Sequence, residues 1–169
     1  MKAFAYIGLW LLGVWLQVIV APSFALWGYR PSFILLILAV LSLRWPSPWL
    51  FVYGALAGLA QDSFTHGVLG IYGMSFFAAA IGSRLVAGFI YDGSLPAAMA
   101  VILATGLIEG VATISIYEFM DPSTPWWRWL FSRILPTAFY TALWSPVFLW
   151  LHGRIERRFH LSRDTWELR

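Results

Sequence analysis

No charged side chain occurs between Lys2 and Arg30. Within that interval the apolar run from Ala3 to Val20, with Gln17 as its only strongly polar residue, has the length of a helix that crosses a hydrocarbon core, about 20 residues at 1.5 Å each. A bilayer offers no water to backbone N–H and C=O groups, so a segment of this kind satisfies itself as a helix. The remainder of the chain is built the same way. Hydrophobic residues make up 60% and charged residues 11% of the sequence, and a mean hydropathy of +0.74 leaves too little polar surface for a water-soluble fold. In 169 residues, five or six spans with short loops use nearly everything, and no separate soluble domain fits.

Lys2, the apolar run and Ser23-Phe24-Ala25 also have the outline of a secretory signal peptide. The run exceeds the usual 7–15 residues of such a signal, so the expectation is a retained first span over 3–21, ended by Pro22. Arg30-Pro31 then opens a second segment, proline being favoured at a first helical position. Its apolar run, 32–43, covers only about 18 Å against a core of about 30 Å. Snorkelling of Arg30 and Arg44, or a thinned bilayer, would have to make up the difference. Trp45-Pro46-Ser47-Pro48 prevents one helix from continuing into the third segment, 49–61. Residues 31–61 therefore form a hairpin that either crosses twice or only enters the membrane.

The third segment carries Gly54, Ala57, Gly58 and Ala60, and the fourth, 69–90, carries Gly70, Gly73, Ala78, Ala79, Ala80 and Gly82. Small residues of this kind allow membrane helices to approach closely. Asp92-Gly93-Ser94 and Pro96 mark a turn. The fifth segment, 96–117, holds Glu109 between Gly106 and Gly110. A wet stretch follows, in which Trp126-Trp127-Arg128-Trp129 has the composition of a membrane interface. The sixth, 134–152, contains Pro136 and Pro146. The expected fold class is thus an all-α integral membrane protein of about six transmembrane helices, one domain over 1–153 followed by a basic tail over 154–169.

Ten Arg and one Lys oppose eight acids, and this net charge of +3 reads first as a topology signal, not as a nucleic-acid surface. With six crossings and both ends inside, Lys2, Arg44, Arg84 and the five tail arginines lie on the inner side, eight in all, against Arg30, Arg128 and Arg133 outside. If 31–61 made a single crossing, the inner side would still hold seven. Both counts place the tail in the cytoplasm and the Asp62 loop outside.

Two acidic positions stand out. Gly54, Gly58 and Asp62 recur every four residues and climb one side of a helix with an offset of about 40° per step. The pattern suits close packing with Asp62 anchoring the following turn through backbone or His66 hydrogen bonds; it also suits a solute or proton site. Glu109 lies near the centre of a span, where a charge costs about 2.5–3.5 kcal/mol on insertion scales. A structural hydrogen bond, a contact with another membrane helix, and transport or catalysis all remain open for it, with Arg84 and Arg133 as candidate partners. Enzymatic constellations are lacking: there is no His-Glu-x-x-His, Gly-x-Ser-x-Gly or Walker loop. Asp62, Ser63 and His66 crowd one loop and lack the convergence of a triad. The absence of cysteine removes thiolate and Cys-metal chemistry. No cofactor, metal or catalytic role is expected. In the tail, Arg154, Arg157 and Arg158 set topology and suit anionic lipid heads or a cytoplasmic protein.

Arg30-Pro31 before an apolar run, the Trp45-Pro46 turn, Gly54-x3-Gly58-x3-Asp62-x4-Gly67-x2-Gly70, and Leu143-Trp144-Ser145-Pro146 ahead of a basic tail together resemble the MreD family of rod shape-determining proteins. The resemblance implies a non-enzymatic component of the bacterial inner membrane that serves lateral peptidoglycan synthesis. Its implied partners are MreC, the MreB filament, RodA and a class B penicillin-binding transpeptidase, besides membrane lipids. It further implies a six-helix fold like the S-components of energy-coupling-factor transporters, from which an alternative function follows, a small-solute-binding transporter subunit. Arg30, Pro31, Gly58, Asp62, Gly67 and Gly70 match the family motif and imply a shape and not a reaction.

Overall fold

The computed structural model describes residues 8, 11–44, 48–65, 68–120 and 125–158, and among them it is all-helical, without a strand. The helices are α1 (Leu11–Phe24), α2 (Phe33–Arg44), α3 (Trp49–Phe64), α4 (Ile71–Ile90), α5 (Leu95–Met120), α6 (126–143) and α7 (Ser145–Arg158). Two of them are not regular. α1 passes through a π-helical turn at Leu16–Val20 and closes as a 3-10 turn at Ala21–Phe24, where Pro22 sits, and α6 contains a second π-helical turn at Leu130–Ile134.

α2 occupies the centre. From Phe33 to Leu43 every residue is buried, and α1, α3, α4, α5, α6 and α7 all touch it. A helix apolar on all sides belongs inside a larger assembly of helices. This arrangement removes the difficulty posed by its length. Hydrocarbon thickness constrains a helix that faces lipid; one sheathed in protein can be shorter.

Around this mast, α3 packs most extensively on α4, and α4 on α5. The two longest helices, α4 and α5, are long and apolar enough to cross a membrane, at about 30 and 39 Å. Their outer faces carry Met74, Phe77, Leu85, Phe89 and Val111, all exposed. Several small polar residues are inside. Ser42, Ser75, Ser83 and Thr105 are buried, and each hydroxyl donates to a carbonyl three or four residues earlier on its own helix. Burial without a partner would cost each of them roughly 1–3 kcal/mol.

Three boundaries differ from expectation. α3 continues past Gln61 to Phe64, which puts Asp62 inside the helix and not in a loop. The Trp-rich stretch expected to be a wet connection is helical from Trp126. The expected helix 134–152 is two helices that meet at Trp144. Pro146 explains the break, since it has no N–H to donate to Ala142 and its ring crowds that carbonyl. The Ser145 hydroxyl takes the vacated bond, donating to the Ala142 oxygen at 2.6 Å. α7 then runs through Arg154 to Arg158, so these tail residues extend the helix; 159–169 lie outside the described residues.

The link between α1 and α2 is a two-residue hairpin turn. Leu26 and Tyr29 exchange both backbone hydrogen bonds, at 3.0 and 2.9 Å, with Trp27 (φ 50°) and Gly28 (φ 85°) at its corner. Positive φ at both central positions is the type I′ geometry. Trp27, a bulky residue in that region, is 97% exposed.

The entry to α2 is held by side chains from both ends of the chain. The Ser32 N–H donates to Thr141 Oγ1 on α6 at 3.0 Å, and the Phe33 N–H to Gln17 Oε1 on α1 at 2.9 Å. These are first-turn donors that a helix cannot satisfy internally. Thr141→Val preserves shape and removes the acceptor. We expect a loss of about 1–2 kcal/mol, read as a lowered Tm in mild detergent; an unchanged Tm would mean that water serves Ser32 equally well.

Candidate functional site

The ladder Gly54, Gly58, Asp62 faces α4. A Cβ at Gly54 would lie 2.8 Å from the Phe76 carbonyl oxygen, and one at Gly58 2.6 Å from Gly73 Cα. The two backbones touch along this seam. One turn further, the buried Asp62 carboxylate reaches the start of α4: Oδ2 accepts from the N–H of Gly70 at 2.9 Å and of Gly73 at 3.2 Å, and Oδ1 from Tyr72 at 3.1 Å. The helix N-cap is normally capped by its own side chain. Here it is Gly70, with φ 102°, a conformation that glycine adopts freely, and the capping group comes from the neighbouring helix. A carboxylate at a helix N-terminus also meets the positive end of the helix dipole.

Beside this junction the bundle forms a half-open cavity of about 350 Å³. Its walls come from six helices: Gln17 on α1, Arg30 and Ser32 before α2, Gln61 near the end of α3, Tyr72 and Phe76 at the start of α4, Gly106 to Tyr117 on α5, and Trp129 to Thr141 on α6. Gly106 and Gly110 let α6 lie close, since a Cβ at either would crowd Ala138 or Ile134. Glu109, between them, lines the cavity and accepts a hydrogen bond from Thr113 Oγ1 at 2.9 Å. Arg133 lies over the Trp129 ring at 5.3 Å from its centroid, and Tyr117 stacks on the same Trp at 6.2 Å.

The structure brings some of the sequence candidates together and separates others. Asp62, Gly54, Gly58 and Gly70 form the α3–α4 junction, while Arg30 and Glu109 share the cavity with Arg133. Arg84 is not on the cavity wall. Pro31 is fully buried. Trp144 sits at the α6–α7 break, edge-on to Phe24 at 4.8 Å and Phe33 at 5.9 Å, and Pro146 is in the first turn of α7. At the opposite end of the bundle, Arg154 lies over Trp150 at 4.9 Å; Arg157 and Arg158 follow it on α7. Gly67 and His66 lie outside the described residues. Ser63 is exposed and donates to the Leu59 carbonyl of its own helix, while the Asp62 carboxylate faces α4. Among the described residues no group of three metal-ligating side chains gathers.

Sequence reasoning did not find the cavity. Gln17 had a signal, as the lone polar residue of its span. Thr113, Thr137 and Thr141 had none, because a helix threonine that faces a cavity is indistinguishable in sequence from one bonded to its own backbone.

A family model, rod shape-determining protein MreD, matches residues 1–153 of the chain. No curated protein and no solved structure matches it.

Proposed function

The chain belongs to the MreD family of rod shape-determining proteins, and from that membership we propose that it is a non-enzymatic scaffold of the wall-elongation complex, packing on MreC and supporting peptidoglycan synthesis. The match over 1–153 carries the reading. The proposed topology has six crossings, by α1 to α5 and by α6 with α7 together, with the C-terminus in the cytoplasm of a bacterial inner membrane. Eight of eleven basic residues fall on the inner side under this arrangement, as the positive-inside rule favours. The Gly54–Gly58–Asp62 junction supports a structural role for the family motif. The exposed apolar faces of α4 and α5 offer surfaces for lipid, and for the membrane helices of MreC, RodA and its transpeptidase. Arg154, Arg157 and Arg158 offer a basic end to MreB or anionic lipid.

Depletion of the protein in its host should turn rods into spheres and mislocalise MreC. Unchanged rod shape with an intact complex would overturn the proposal. The cavity, with Arg30, Glu109 and Arg133 on its wall, favours a second reading, a solute-binding transporter subunit of the S-component kind. That reading requires ATPase subunits to co-purify in mild detergent; their absence from a preparation that retains MreC would remove it.

A further inference from the structure

We propose that the cavity at the α3–α4 junction is a binding site for a phosphate-bearing polar group, held by Arg30 and Arg133 at the rim and by Gln61, Tyr72 and Glu109 within. The inference goes beyond both readings above, since neither a scaffold nor a transporter of unspecified solute requires it.

Three observations carry it. First, a cavity of about 350 Å³ falls in the range of small-ligand sites, about 300–1,000 Å³. Its largely apolar wall gathers three charged side chains, Arg30, Glu109 and Arg133, together with Gln17 and Gln61. Second, the charge on the wall is two guanidiniums against one carboxylate, a net excess of one positive charge, and Glu109 is hydrogen-bonded to Thr113. The planar, five-donor fork of arginine matches phosphate oxygens in pairs. Third, both π-helical turns among the described residues flank this cavity: Leu16–Val20 contains Gln17, and Leu130–Ile134 contains Arg133. Such turns add a residue to a helical turn and are frequent at functional sites.

The chemistry defines the ligand further. The Gln17 carbonyl oxygen is already bonded to Phe33 and the Thr141 oxygen to Ser32, so these two hold the protein together. The Glu109 carboxylate and Gln61 remain to accept a hydroxyl or ammonium. The ligand therefore carries a phosphate and, beside it, a hydrogen-bond donor. A glycerophospholipid headgroup and a soluble glycerol phosphate both meet that description, and Trp129 and Tyr117 at the rim suit either.

The test uses the full-length protein, stripped of co-purified lipid in detergent and titrated with phosphatidylglycerol or with glycerol 3-phosphate, binding being followed by native mass spectrometry. One equivalent of the lipid, or of the soluble phosphate, should bind, which also identifies the source. Arg133→Gln should weaken binding by about tenfold or more, the range for a charge-assisted hydrogen bond. Arg128→Gln, one turn away, exposed and off the cavity wall, should leave it unchanged. If Arg133→Gln does not fold, Arg30→Gln supplies the same reading. Failure of the wild type to bind either probe overturns the proposal. Equal weakening by Arg128→Gln overturns it as well, since binding would then follow interfacial charge and not the cavity.

Discussion

Gly58→Ala should be the most damaging of the Gly→Ala changes among the described residues. The new Cβ would stand 2.5 Å from the Tyr72 carbonyl carbon and 2.6 Å from Gly73 Cα, and closer still to the Tyr72 oxygen. All three are backbone atoms, so no rotamer change relieves the clash. α4 must move as a body, and it would carry Gly70, Tyr72 and Gly73 away from the Asp62 carboxylate. Overpacking alone costs about 1–3 kcal/mol. With the weakened cap we expect at least ~3 kcal/mol, on the order of 10 °C in Tm for a chain of this size. Gly82→Ala is the matched control. Its Cβ would meet the Ile108 side chain, which can turn aside, and alanine gains up to about 1 kcal/mol in helix propensity over glycine. Thermal unfolding of the two variants in the same detergent should therefore differ sharply; equal Tm values would mean that the α3–α4 seam has slack.

Asp62→Ala should be comparably severe, through lost hydrogen bonds. It leaves the N–H groups of Gly70, Tyr72 and Gly73 without their acceptor at a place where Asp62 is 4% exposed. An unsatisfied buried donor costs about 1–3 kcal/mol. Water reaching Gly70, at the edge of the junction, should recover part of that, giving a net loss of about 3–5 kcal/mol. Asp62→Asn keeps the shape and one acceptor oxygen but turns an amide NH2 toward N–H donors, so it should fall between, at about 2 kcal/mol. The expected order of Tm is wild type, then Asn, then Ala, and the ability of each variant to restore rod shape should follow the same order. Three indistinguishable Tm values would show that the cap contributes nothing to the fold.

Much of the architecture could be read from residues whose physics is local. Charge-free runs gave the helices, Pro46 and Pro48 separated α2 from α3, and the four-residue spacing of Gly54, Gly58 and Asp62 placed them on one face. What escaped was which elements the local features would meet. Nothing in Phe33–Leu43 reveals that it is the centre of the bundle, because lipid-facing and protein-facing helices are equally apolar. Asp62 as an acceptor of backbone N–H groups was legible; that those donors, Gly70, Tyr72 and Gly73, open α4 depends on α4 lying beside α3. The α6–α7 break was signalled by Pro146, yet a proline alone does not separate a kink from a new helix. The cavity draws its wall from residues between Gln17 and Thr141, and its two π-helical turns have no sequence signature.

The central position of α2 has a consequence for the order in which the protein matures. A ribosome delivers α2 early, but its envelope closes only when α6 and α7 arrive, because Ser32 is bonded to Thr141 and Phe33 packs on Trp144 and Phe148. Until then, the N-terminal half of the protein displays an unfinished interior to the membrane. Its last-made helices are thus its keystone, and a chain released before Phe148 would present the cell's membrane proteases with an open bundle, not a shortened version of the finished one.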